Sequence, residues 1–255
     1  MRHAIAICHL YPELLNLYGD RGNILTLSRR LSWRGIAVTV HSVSLGEPYD
    51  PEAYDITFLG GGQDFEQDIL QHDLLREKSG AIRHAILSDR VFLCICGGYQ
   101  VLGMSYITAS GREIPCLRAL DIHTKAGGKR LIGNLVFSLL SEEAAEKNYP
   151  VIGFENHSGR TVLGREVKPL GKVLKGFGNN GEDGTEGALW RNVFCSYAHG
   201  SLLPKNPALA DMILLRALRR KYPGFTREEL PPLDDTLEEE TRRGLLPARL
   251  LRRGH

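Results

Sequence analysis

Short β-branched apolar runs alternate with longer helical patterns through the first half of the chain. That alternation predicts βαβ units and a parallel sheet. Ala4 to Leu10, Ile36 to Val43, Ile56 to Leu59 and Val91 to Ile95 read as strands, the last two apolar enough to be buried on both faces. Between them, Asn23 to Arg34 carries Ile24, Leu27 and Leu31 on one side and stops at Gly35. Glu66 to Ser88 is a long helical stretch with Ile69, Leu70, Leu74, Ala81, Ile82 and Ile86 on its apolar side, and a short helix starts at Tyr99.

The pattern changes after Ile107. Glycine becomes frequent, helical periodicity is scarce, and Leu131 to Leu139, Val151 to Phe154, Thr161 to Leu163 and Gly187 to Trp190 look like short strands of antiparallel type. Val193 to Ala198 is a strand running into His199-Gly200, and Pro207 to Tyr222 is an amphipathic helix opened by proline. The end of the chain separates by charge: Arg227 to Glu240 holds seven acids and one base, and Arg242 to Arg253 holds five arginines and no acid. This divides the chain into a domain over 1–225 and a charged C-terminal extension over 226–255, expected as a peripheral helix or a mobile segment.

Composition narrows the class. With 255 residues, 42% hydrophobic and 24% charged, the chain can bury a core without disulfides. A net charge of +2 lacks the concentrated basic face that nonspecific nucleic-acid binding needs. Five cysteines form an odd set, several in apolar runs, which suits a reducing cytoplasm. No stretch approaches the length of a membrane span, and the N-terminus reads as a first strand rather than a signal peptide.

Three windows carry chemistry. In Val91-Phe92-Leu93-Cys94-Ile95-Cys96-Gly97-Gly98-Tyr99-Gln100 a buried strand meets a cysteine, two glycines and a helix. A nucleophile on such a turn is held strained and exposed, and the helix N-terminus favours its thiolate. Cys96 is the candidate nucleophile, and Cys94 is assigned to packing. In Phe58-Leu59-Gly60-Gly61-Gly62-Gln63 the glycine amides can point into a shared cavity; Gly61, Gly62 and Gly97 are candidate oxyanion-hole donors. Neither GxGxxG nor GxxxxGK[ST] occurs. Finally, Cys195-Ser196-Tyr197-Ala198-His199-Gly200 places a histidine at a strand's carboxyl end, where open α/β sheets put their sites. His199 is the candidate base, with His123 and His157 as competitors.

Together these windows resemble the class I glutamine amidotransferases, in their cobyric acid synthase-like branch. The resemblance extends to Leu17-Tyr18-Gly19-Asp20-Arg21-Gly22-Asn23-Ile24, Arg130-Leu131, Gly153-Phe154-Glu155-Asn156-His157, Gly178-Asn179-Asn180 and Leu203-Pro204-Lys205-Asn206, over residues 4 to 222. Within the branch it is closest to glutaminase subunits that serve a separate Mur ligase-like synthetase. It implies a flavodoxin-like α/β fold, with a mainly parallel central sheet, flanking helices and an antiparallel extension. It also implies Cys96 as nucleophile, His199 as base and Arg130 as the residue holding glutamine, a role a guanidinium suits because it clamps a carboxylate bidentately. One feature departs from the class. Where a glutamate two residues on normally orients the histidine, this chain has His199-Gly200-Ser201. Asp20, Glu155 or an acid of the partner could serve, and the sequence does not choose.

The resemblance further implies hydrolysis of L-glutamine through a glutamyl thioester. It implies no cofactor or metal in this chain, with ATP and Mg on a MurT-like synthetase subunit that forms a heterodimer and amidates the D-glutamate α-carboxylate of lipid II. Alternatives are a detached amidotransferase subunit for another acceptor, such as a corrinoid carboxylate, a noncatalytic α/β binding module and, more remotely, a cysteine peptidase.

Overall fold

A computed structural model describes residues 3–16, 20–62, 68–140 and 149–246. Its first half follows the alternating pattern: β1 (Ala4–Leu10), α1 (Arg21–Ser32), β2 (Ala37–Val43), β3 (Ile56–Leu59), α2 (Asp68–His72), α3 (Ser79–Leu87), β4 (Val91–Ile95) and α4 (Gly97–Val101). Asp73–Lys78 joins α2 to α3 as a π-helical segment, so the expected long helix is one rod with a widened middle. There the Lys78 ammonium bonds the Asp73 carboxylate, which also accepts the Tyr11 hydroxyl at 2.7 Å. Glu66 and the Ile69 side chain lie outside the described residues.

The second half contains β5 (Ser105–Ile107), β6 (Glu113–Pro115), β7 (Ile122–Leu139), β8 (Pro150–Leu163), β9 (Gly171–Lys175), β10 (Thr185–Glu186), β11 (Ala188–Trp190), β12 (Val193–Ser196), α5 (Pro207–Lys221) and α6 (Thr236–Leu245). Among the described residues the strands form two sheets. The first has the order β11-β12-β4-β3-β1-β2, parallel except for β11. The second joins β10, β9, β7, β5 and β6, with β8 paired to β7. This is the expected α/β architecture with its antiparallel extension.

One expectation is corrected in detail. Val151 to Phe154 and Thr161 to Leu163 belong to a single strand, β8, paired antiparallel with the 18-residue β7. The register shifts between Ala126 and Leu131, so Gly127-Gly128-Lys129-Arg130 bulges out of the ladder.

Burial puts β3 and β4 at the middle of the first sheet's packing. β3 and β4 are buried at every position, as strands covered on both faces must be. One face of the sheet packs Val91, Leu93 and Ile95 against Leu214 and Leu218 of α5, and the other packs Phe92 and Cys94 with Ile82 and Ile86 of α3. α5 starts at Pro207, while Asn206 is spent on β8: its side chain accepts the Ile152 N–H at 2.9 Å and donates to the Ile152 carbonyl at 2.8 Å. The described part of the charged extension is docked. Buried Arg30 bridges Asp211 at 2.7 Å and Asp235, at the start of α6, at 2.5 Å, and Arg242 lies over the Tyr149 ring. Arg249, Arg252 and Arg253 lie outside the described residues. No helix among the described residues is long and apolar enough to cross a membrane.

Candidate active site

β4 delivers Cys96 to the carboxyl edge of the central sheet. Its backbone is forced into φ 50°, ψ −104°, a region L-residues avoid, and α4 starts at the next residue. The turn requires glycine at the two positions that follow. A Cβ on Gly97 would lie 2.4 Å from the Gly62 carbonyl oxygen, and one on Gly98 would lie 2.4 Å from the Leu59 carbonyl oxygen. The elbow therefore packs backbone to backbone on the Gly60-Gly61-Gly62 turn, fastened by Gly98 N–H to Gly60 O at 3.2 Å.

The two glycine windows thus form one cradle. Gly62 N lies 3.1 Å from where a Gly97 Cβ would be, so the Gly62 backbone packs directly on Gly97, the residue after Cys96. Gly61 differs from the expectation. Its N–H donates to Asp20 Oδ2 at 2.7 Å, so it is committed to a carboxylate and is not an oxyanion donor in this arrangement. Gln63 lies outside the described residues.

β12 delivers His199. Cys96 N–H donates to Ser196 O at 2.9 Å, three residues before His199, and the His199 backbone then leaves β12 to pair with Phe154 of β8. The imidazole packs on the glycine turn, since a Cβ on Gly61 would sit 2.6 Å from His199 Cε1. The competing histidines lie apart in role. His123 is exposed beside Asp121, and His157 is buried, stacked on Tyr197 with ring centroids 3.7 Å apart.

Of the acids left open by the sequence, the structure brings Asp20 to the histidine. Asp20 is fully buried, with Oδ2 4.0 Å from His199 Nδ1. Glu155 instead shapes the turn after β9, where Oε1 accepts Phe177 N–H at 2.7 Å and Oε2 accepts Gly178 N–H at 2.9 Å. Its Oε2 also lies 3.7 Å from His157 Nε2, so among the possibilities the sequence left open Glu155 is held by this turn and by His157. Leu17, Tyr18 and Gly19, which precede Asp20, lie outside the described residues.

Arg130 stands on the β7 bulge, exposed, with Nε donating to Asn156 Oδ1 at 2.9 Å and Nη2 to Asn156 O at 3.1 Å. Arg160 pins the bulge from below, donating to Lys129 O at 2.7 Å and Ser158 O at 2.9 Å. Sequence reasoning passed over Asn156 as a partner of Arg130 and Lys205 as a contact of the base. Lys205 Nζ donates to His199 O at 3.2 Å. Arg130 and Asn156 meet across 26 positions, when β7 pairs with β8, whereas Lys205 follows His199 by six residues and reaches its carbonyl through the turn between them.

The electrostatics differ from the expected thiolate. Burial pushes the Cys96 thiol up to about 12, Asp20 adds to that, and the Gly97 amide and Arg130 only partly oppose it. Burial lowers His199 to about 3, with His157, Lys205 and Arg130 acting in the same direction. α4 is a single five-residue turn, too short to offset desolvation of the sulfur. Burial raises Asp20 to about 7 against the pull of the Gly61 amide and Lys205. Among the described residues no group of three or more His, Cys, Asp and Glu is arranged to hold a metal ion.

Strained cysteine elbow, glycine cradle and strand-end histidine on a parallel sheet coincide with a known family. The model of the CobB/CobQ-like glutamine amidotransferase domain matches residues 6–207, and the chain belongs to that family. It is a glutamine amidotransferase. The lipid II isoglutaminyl synthase (glutamine-hydrolyzing) subunit GatD of Streptococcus pneumoniae is 44% identical over 239 residues, covering 93% of this chain and 89% of that protein. The subunit of the same name from Staphylococcus aureus is 38% identical over 228 residues, covering 89% and 90%. Among solved structures, PurLQS from Thermotoga maritima shares the fold, with TM-score 0.58 at 17% identity over 86% of this chain and 99% of that one.

Proposed function

We propose that this chain is the glutaminase subunit of a lipid II isoglutaminyl synthase, hydrolysing L-glutamine and passing ammonia to a Mur ligase-like synthetase. The strained Cys96 elbow, packed on the glycine turn that also carries His199, is the observation that supports the chemistry. The similarity to two GatD subunits over about nine-tenths of each chain supports the acceptor.

In this reading Arg130 takes the α-carboxylate of glutamine, a bidentate match of fork to carboxylate. Bound substrate displaces water and brings the carboxamide to Cys96. His199 accepts the thiol proton as Sγ attacks the carboxamide carbon, and the amides of Gly62 and Gly97 hold the resulting oxyanion. The C–N bond breaks as His199 returns the proton to the leaving ammonia, leaving a γ-glutamyl thioester. Water, deprotonated by the same imidazole, then cleaves the thioester to glutamate and the free thiol. Asp20 keeps the imidazole aligned. The synthetase, working with ATP and Mg, activates the D-glutamate α-carboxylate of lipid II, and ammonia converts it to D-isoglutamine.

The test is release of glutamate and ammonia from L-glutamine by wild type and Cys96→Ala, each with and without the co-purified synthetase. Hydrolysis dependent on Cys96 is expected. Equal release by both chains would exclude the mechanism, and failure to bind any Mur ligase-like protein would exclude the acceptor.

A further inference from the structure

The carboxyl end of β12 is held by a buried carboxylate that the reaction does not use. β11 pairs with β12 only as far as Ala188 opposite Cys195. At Gly187 the chain turns away with φ 62°, and a Cβ there would lie 2.1 Å from the Cys195 carbonyl oxygen. Beyond that point no strand among the described residues covers the outer side of β12, and the Glu186 side chain supplies the acceptors instead. Glu186 Oε1 accepts the Ser196 hydroxyl at 2.6 Å and the Tyr197 N–H at 2.8 Å.

Ser196 is the junction of this arrangement. Its carbonyl accepts the Cys96 N–H at 2.9 Å, and its hydroxyl accepts the Ala198 N–H at 2.9 Å while donating to Glu186. A hydroxyl that accepts from the residue two further on closes a tight local turn and ends a strand. The turn swings the chain out of the central sheet, so that the next residue, His199, meets Phe154 on β8. One residue thereby touches the backbone of the elbow and sets the path to the base. Ser196 and Glu186 are both fully buried, which gives the bonds no competing water.

We propose that Ser196, held in its rotamer by Glu186, is the positioning residue that fixes His199 relative to Cys96. The inference rests on the glutaminase reading of those two residues. Burial raises Glu186 to about 7 while the Ser196 hydroxyl and the Tyr197 amide lower it, so these donors are what favour the ionised, hydrogen-bonded form. Neither Ser196 nor Glu186 need touch glutamine, so their effect falls on the chemical step and not on binding.

The experiment compares steady-state glutamine hydrolysis by wild type, Ser196→Ala, Ser196→Thr and Glu186→Gln, each in complex with the synthetase subunit, with thermal melts of each chain. Ser196→Ala is expected to lose about tenfold or more in kcat with KM within about twofold of wild type, the pattern of a misplaced but still assembled site. Ser196→Thr restores the hydroxyl and is expected to recover most of the loss. Glu186→Gln, which keeps the size and one acceptor, should fall between, with KM again unmoved. Wild-type kcat in a folded Ser196→Ala overturns the proposal. So does a loss that Ser196→Thr shares in full together with a lowered Tm, since that reports packing alone. Silence of the wild-type complex overturns the glutaminase reading itself, and is recognised because wild type then fails beside its variants.

Discussion

With the Cys96 thiol pushed up to about 12 and the His199 imidazole down to about 3, the two groups rest as thiol and neutral imidazole at neutral pH. Proton transfer between them then belongs to the substrate complex, in which the developing charges are held by the cradle amides. Cys96→Ala should therefore lower hydrolysis by roughly a thousandfold or more, while the complex still uses added ammonium as nitrogen donor. Asp20 offers a second, sign-dependent expectation. Its carboxyl is raised from the ordinary carboxylate range to about 7. The folded chain then holds a proton there that the unfolded chain has released, so this group's contribution to stability is full at low pH and declines as pH rises from about 4 through 7. Asp20→Asn should remove that decline. It should raise Tm at pH 8 relative to wild type by a few degrees, about 2–4 °C for each kcal/mol in a chain of this size, and have little effect at pH 4. Its kcat should drop, because an amide aligns the imidazole less firmly than a carboxylate. Melts at the two pH values together with a rate measurement check both halves.

Among the elements, the β4–α4 turn is the least tolerant of added atoms. Gly98→Ala would press a methyl onto the Leu59 and Gly60 carbonyl oxygens, which are backbone atoms and cannot swing aside. A cost of about 1–3 kcal/mol and loss of hydrolysis with Cys96 intact are expected, measurable by denaturant melts and the glutamate assay. The same turn explains what a linear reading could see. β1, β3 and β4 have the expected limits because an apolar run between turn residues is a local signal. β8 looked like separate strands because Gly153 and Gly159 thin its apolar pattern; Gly153 is there to admit Ala198, and Gly159 to admit Gln100 and the Tyr197 hydroxyl. Cys96 and His199 stood out through their own strand ends. Asp20 was named only as one of several acids, since the contact that distinguishes it, to the Gly61 amide, spans 41 positions of sequence. The upward push on the Cys96 thiol was not legible for a related reason: a helix dipole can be read from a motif, whereas the desolvation that opposes it is a property of the assembled core.

At the scale of the whole molecule, the last helix is tied down by charge. Arg30 sits between Asp211 and Asp235, and Arg34 reaches Asp211 at 2.6 Å. Asp235→Ala should release α6 at a cost of about 1–2 kcal/mol, because Asp235 is partly exposed and Arg30 keeps Asp211. Limited proteolysis in the 231–235 segment should speed up while glutamine hydrolysis stays at its wild-type rate. The two sheets meet differently. Besides the Glu186 bonds to Ser196 and Tyr197, Phe154 and His199 join them by an isolated backbone bridge, His199 N–H to Phe154 O at 2.7 Å and Phe154 N–H to His199 O at 3.4 Å. Each sheet is a laddered body, but this bridge is one rung, and isolated rungs open at lower free energy than ladders. The order in which properties disappear on warming follows from it. Catalysis is expected to go first, at temperatures where the far-ultraviolet ellipticity is still native, and cooling from that range should restore it in full.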